Sequence, residues 1–252
     1  MRADKRRIHM LDEIRGFAII CMVIHHTFLD IGDVLGFSWG YEVFDALCIV
    51  QPVFWAAFIL ISGMCSRLSR NAVKRGVIVL ACGCAVTLVT AVLMPLLGFT
   101  GAEIYFGILH CLGVCMIVTG LFMPVLKKIN YKIGAVVSLL LFLFFYDIEI
   151  GRLCFGLITL PESWYQYDFL APLGLHSSSF YSADYFAVIP WIFMFFLGYF
   201  IGKLAADEKL PEMMYRKHSA FLSFVGKNSL WVYLAHQPVL YVVLFLISFV
   251  IA

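Results

Sequence analysis

The chain has 252 residues, 63% hydrophobic and 13% charged, with a mean hydropathy of +0.95. Soluble domains average about 45–50% apolar and about 25% charged residues, so a soluble globular fold is excluded and an all-α, polytopic membrane bundle is expected. The net charge of +2 leaves no footprint for a nucleic acid, and the length suits one domain over residues 1–252.

Seven segments are long enough to cross a bilayer, which takes about 20 apolar residues each. They lie near 12–34, 42–66, 75–97, 104–126, 130–147, 184–205 and 228–251, the fifth being the shortest. Four basic residues stand between Arg2 and Arg7, and further basic clusters follow the second, fourth and sixth segments. All of these fall on one side of a seven-helix arrangement. The other side holds Arg152 among many carboxylates, such as Asp30, Asp33, Glu103, Asp168 and Asp184. The positive-inside rule then puts the N-terminus in the cytoplasm of a multi-pass protein of the cell (inner or plasma) membrane. The basic start lacks a short apolar core with a small-residue cleavage site, so no cleaved signal peptide is expected. The eight cysteines fall mostly inside helices and read as packing residues, with neither a disulfide framework nor zinc spacing; no metal is expected.

The first segment carries the chemistry. Arg15 and His26 are 11 residues apart. On a helix that is three turns plus about 20°, so both share a face, separated by about 16 Å along the axis. Ionisable groups inside a membrane helix are costly and usually face a protein interior or wet cavity. An arginine at one end and a proton-transfer group at the other suit a long anionic cofactor. Asp30 lies one turn beyond His26, where a carboxylate orients an imidazole, or merely pairs with it at a wet helix mouth. His25 points about 100° away and ranks second. Asp12 and Arg15 form an i,i+3 pair, readable as a local salt bridge with a headgroup anchor or as an arginine that reaches a phosphate.

His110 lies about two turns into the fourth segment and His236 about two turns into the seventh. Each is a candidate proton carrier or an interhelical hydrogen bond. The stretch from Ile148 to Ala183 is the long connection, with Trp164, Tyr165, Tyr167, His176, Phe180 and Tyr181. Its apolar run Leu153–Leu160 is too short to span and reads as re-entrant or interfacial. Asp184 opens the sixth segment, as a catalytic carboxylate or an N-cap. Gly198 and Gly202 suggest a close helix contact there. Lys227, Asn228 and Ser229 start the last segment, where N–H groups attract phosphate. Tyr233, His236, Gln237 and Tyr241 make a polar-aromatic stripe on it.

The stretches LDEIRGFAIICMVIHHTFLD at 11–30, ISG at 61–63, FGILHCLGV at 106–114, FYSADYFAVIPWIFMFFLGYFIG at 180–202 and GKNSLWVYLAHQPVL at 226–240, in this order, resemble the heparan-α-glucosaminide N-acetyltransferase catalytic-domain family in a compact bacterial form. The resemblance implies a membrane acyltransferase that moves an acetyl group from cytosolic acetyl-CoA to a sugar or glycan hydroxyl or amine on the far side. It implies Arg15, His26, His110, Asp184 and His236 as the positions to suspect. One departure is plain. Larger members place a proposed acetyl-accepting histidine in the loop after the first helix, and residues 32–40 here contain none. His26, helped by Asp30 or Asp184, is then the expected general base, with an acetyl-histidine as a variant. Arg15, Lys227 and Asn228 are expected at the donor phosphates, and Trp164 and Tyr167 against a sugar. A small proton-coupled transporter and a non-catalytic scaffold are the rival classes, and a homodimer is compatible with the sequence.

Overall fold

The computed structural model describes residues 6–251; Arg2, Lys5 and Ala252 lie outside the described residues. The fold is a polytopic helical bundle. Among the described residues, six helical stretches are long and apolar enough to cross a membrane, and a seventh apolar helix is shorter. The chain forms two compact units. One comprises the chain up to Ile61 and from Glu208 onward; the other is Ser62–Asp207.

In the first unit, α1 (His9–Leu35) is one unbroken helix of 27 residues, about 40 Å long, which is long enough to cross a hydrocarbon core of about 30 Å. It stops at Gly36, whose φ of 71° is the left-handed conformation that glycine adopts freely, with its N–H on the Gly32 carbonyl. The expected second helix, 42–66, is in fact two: α2 (Ser38–Cys48) and α3 (Gln51–Leu68). Pro52 explains the break. It lacks an N–H and its ring clashes with a preceding helical turn, so it is best placed at a helix start, and it is the second residue of α3. α2 folds back on α1, with Gly40 against the Phe28 carbonyl and the Tyr41 ring over Gly32.

The last part of the chain supplies α9 (Ala220–Lys227) and α10 (Ser229–Ile251). α9 crosses α1 at a pair of glycines. A β-carbon on Gly16 would strike the Leu222 carbonyl, and one on Gly226 would strike the Asp12 carbonyl. The buried Glu13 of α1 accepts hydrogen bonds from the N–H groups of His218 and Ser219, at 2.8 and 3.1 Å, and so ties down the α9 entry. Ser219 adds its own cap to Leu222 N–H. α10 exposes most of its apolar side chains, Trp231, Val242 and Phe249 among them, as a lipid-facing helix does.

In the second unit, α4 (Ala72–Thr87) widens into a π-helical stretch at Leu88–Leu93 and ends as α5 (Met94–Leu96). The widening coincides with Thr90, whose hydroxyl donates to the Val86 carbonyl and accepts from Ile104 N–H. α4 packs closely on α6 (Ile108–Leu126), with Gly113 against the Leu80 backbone. α7 (Tyr131–Phe145) packs on α8 (Trp191–Ala206). The residues 153–160, expected to be re-entrant or interfacial, are not helical. They close a small antiparallel hairpin, β1 (Arg152–Leu153) on β2 (Ile158–Thr159), with Cys154, Phe155 and Gly156 at positive φ in its turn.

The sixth segment also differs from expectation. Residues 184–190 are irregular, the Ile189–Pro190 bond is cis, and Pro190 stands at the N-cap of α8. Its 16 residues span about 24 Å. The close contact expected of Gly202 is present, with Met64 of α3 3.0 Å from where its β-carbon would be.

Candidate functional site

His26 and His236 meet edge to face, their ring centroids 5.1 Å apart and their planes at 80°. Each ring is held by its own helix. His26 Nδ1 donates to the Met22 carbonyl at 3.0 Å, and His236 Nδ1 donates to the Tyr233 carbonyl. A carbonyl only accepts, so both neutral rings carry the proton on Nδ1 and a lone pair on Nε2. His236 Nε2 is buried with no hydrogen-bond partner.

Asp30 is buried, and its Oδ1 accepts from Gln237 Nε2 at 2.8 Å. The expected arrangement, in which Asp30 orients His26, is therefore replaced. The Met22 carbonyl orients His26, and Gln237 holds Asp30. Asp30 Oδ2 and Gln237 Oε1 are also buried without partners. Three acceptors in one neighbourhood thus lack donors. Leaving such a group unmade costs about 1–3 kcal/mol, which a ligand bearing O–H or N–H groups recovers.

At the other end of α1, Asp12 lies between two arginines. Arg7 Nη2 is 2.8 Å from Asp12 Oδ2, and Arg15 Nη1 is 3.8 Å from Asp12 Oδ1. The salt-bridge reading of Asp12–Arg15 is thus present in the structure. Lys227 ends α9 rather than starting the last helix, and Asn228 caps it by donating to the Phe224 carbonyl at 2.9 Å. Arg15 precedes Gly16 and Lys227 follows Gly226, so both cations flank the glycine crossing of α1 and α9.

His110 and Asp184 come together in the second unit, both at the start of α6. Helix α6 begins at Ile108, so His110 stands in its first turn, not two turns in. His110 Nδ1 accepts from Gly107 N–H at 3.2 Å, which places the ring proton on Nε2, 3.3 Å from Thr87 Oγ1. Asp184 Oδ2 accepts from Ile108 N–H at 3.2 Å. Asp184 therefore caps α6 and not α8, because irregular chain separates it from Trp191. Both groups satisfy orphan N–H groups of a helix start, as a capping box does.

The same unit carries a cleft of about 590 Å³, lined by Glu103, Asp168, Tyr105, Phe169, Phe180 and Tyr181 among others. Ser177 N–H donates to Asp168 Oδ1 at 2.9 Å and holds that carboxylate below its ordinary range. Burial pushes the neighbouring Tyr185 phenol up. Trp164 and Tyr167, expected against a sugar, are exposed and do not line this cleft. Among the described residues, no group of three or more His, Cys, Asp and Glu side chains is placed to hold a metal ion.

Sequence reasoning passed over Glu13 and Gln51 and read Gln237 only as part of a stripe. Their partners lie more than 20 residues away in sequence, so no local spacing announces them.

The family model described as heparan-alpha-glucosaminide N-acetyltransferase, catalytic, matches residues 7–238. Comparison with curated proteins and with solved structures gave no match.

Proposed function

The chain belongs to the heparan-alpha-glucosaminide N-acetyltransferase catalytic-domain family, a family of acetyltransferases, and from that premise we propose that it moves an acetyl group from cytosolic acetyl-CoA to a sugar or glycan acceptor across the membrane. The basic start of the chain favours a cytoplasmic N-terminus in the cell membrane. Arg15, with Lys227 and Asn228 nearby, meets the donor phosphates, the planar guanidinium supplying paired N–H donors. The 11 residues from Arg15 to His26 cover about 16 Å of α1, a length that a pantetheine arm bridges.

The observation that carries this reading is the His26–His236 pair with its neighbouring orphaned acceptors. His26 Nε2 takes the proton of the attacking hydroxyl or amine, and His236 Nε2, Asp30 Oδ2 and Gln237 Oε1 accept its remaining hydrogens. His110 and Asp184 act as positioning residues, since their polar atoms hold the start of α6.

The test is thermal stabilisation of the purified protein by acetyl-CoA. A ligand that binds only the folded state raises apparent stability by mass action. The wild type should shift upward, Arg15→Ala should shift much less, and His26→Ala should shift fully while losing acetyl transfer. Absence of any shift in well-folded protein would sink the acyltransferase and favour a proton-coupled permease or a scaffold.

A further inference from the structure

Beside the His26 pair lies a second constellation. Its parts come from the middle of α1 and from two helix ends of the same unit. His25 is only 5% exposed. Its Nε2 lies 3.5 Å from Cys48 Sγ, at the end of α2, and its Nδ1 lies 3.3 Å from Gln51 Nε2, at the start of α3. The break before Pro52 brings Cys48 and Gln51 to the same ring. A thiol, an imidazole and an amide in this chain of contacts have the form of nucleophile, base and orienting group. The bland alternative is a buried histidine that finds two partners. Two facts tell against it. Cys48 is half-buried rather than sealed, so it stays reachable, and the His25 ring lies 5.8 Å from the His26 ring. The thiol therefore borders the site where transfer is proposed.

We propose that Cys48 is an acyl carrier: its sulfur takes the acyl group from the donor thioester, with His25 as base, before the acceptor attacks. This rests on the acyl-transfer reading above. The Cys48 S–H bond breaks, its proton passes to His25 Nε2, and a new S–C(O) bond forms. The donor C–S bond breaks and CoA leaves as a thiol, carrying away that proton. One thioester replaces another, so the acyl group keeps its transfer potential. The acceptor O–H or N–H then attacks the Cys48 thioester, His26 taking the proton and returning it to the sulfur.

The amide of Gln51 sets the direction. As placed, it donates to Nδ1 and the ring proton faces the sulfur, the state that stabilises a departing thiolate. A half-turn of the amide offers Oε1 to an Nδ1–H and returns the lone pair to Nε2, the state that activates the thiol.

A covalent carrier exchanges label without an acceptor. Unlabelled acetyl-CoA and radiolabelled CoA are incubated with purified protein, and labelled acetyl-CoA is measured, with thermal stabilisation by acetyl-CoA read in parallel. Wild type should exchange. Cys48→Ala should abolish exchange and His25→Ala should slow it by roughly 10²- to 10⁴-fold, both with stabilisation retained. Cys48→Ser, nearly isosteric, guards against loss of the fold and should lose exchange as well. Wild type that is stabilised but does not exchange, or a Cys48→Ala protein that exchanges normally, overturns the carrier and leaves acyl transfer standing. Wild type that is not stabilised removes both.

Discussion

In the Ser62–Asp207 unit, His110 uses one ring nitrogen on Thr87 of α4 and the other on the start of its own helix α6, and Asp184 uses a carboxylate oxygen on the same helix start. In the other unit, His26 and His236 each use one nitrogen on their own helix and keep a lone pair on the other. The residue type is identical and so is the setting, a histidine within an apolar helix. What separates them is whether the hydrogen-bonding capacity is closed. A closed set stabilises a fold; an open set, costly to keep buried, is retained where something else completes it.

The largest effect should fall on the open set. His26→Ala should lower acetyl transfer by roughly 10²- to 10⁴-fold with an unchanged melting temperature, whereas His110→Ala should leave turnover per folded molecule within about tenfold. Equal loss of turnover in both would dissolve the distinction. Next, Arg15→Ala removes a charge-assisted contact worth about 1.5–3 kcal/mol, so the KM for acetyl-CoA should rise roughly ten- to hundredfold with kcat little changed. The closed set should show the converse. His110→Ala and Asp184→Asn should each cost about 1–3 kcal/mol of stability, read as a lower melting temperature in detergent. A comparable cost, about 1–3 kcal/mol from overpacking, is expected for Gly226→Ala, because its new methyl meets the Asp12 carbonyl. The smallest effect concerns acid. Asp168 is held below its unfolded value by Ser177 N–H, so its contribution is present above the unfolded carboxylate range and is lost as pH falls through the folded value. Melting curves from pH 7 to pH 3 should show Asp168→Asn losing less on acidification than wild type.

Six of the seven expected spans and the Arg15–His26 spacing were legible, because long apolar stretches mark spans and the phase within the unbroken α1 follows from 3.6 residues per turn. Helix ends were less so. The start of α8 slid from Asp184 to Trp191, since hydropathy does not mark where a cis proline interrupts an apolar run. The second helix hid its break because Pro52 sits among residues apolar enough for one span. Asp30 was singled out with His26 as its expected partner, and the structure gives its carboxylate another. The i,i+4 rule points along the helix to His26, while its hydrogen bond comes from Gln237, 207 positions away. Contacts of that kind are decided by how helices pack, which one sequence read by period alone does not encode.

The brevity of α8 has a consequence for the surrounding lipid. At about 24 Å against a hydrocarbon core of about 30 Å, it falls short by roughly one helical turn. A short span in a thick bilayer is accommodated by thinning the bilayer or by reaching out with flanking side chains, at a fraction of a kcal/mol per ångström. The Lys203–Asp207 pair at its end already places charge where the headgroups would dip. In vesicles of graded thickness, turnover should then be highest in the thinner ones.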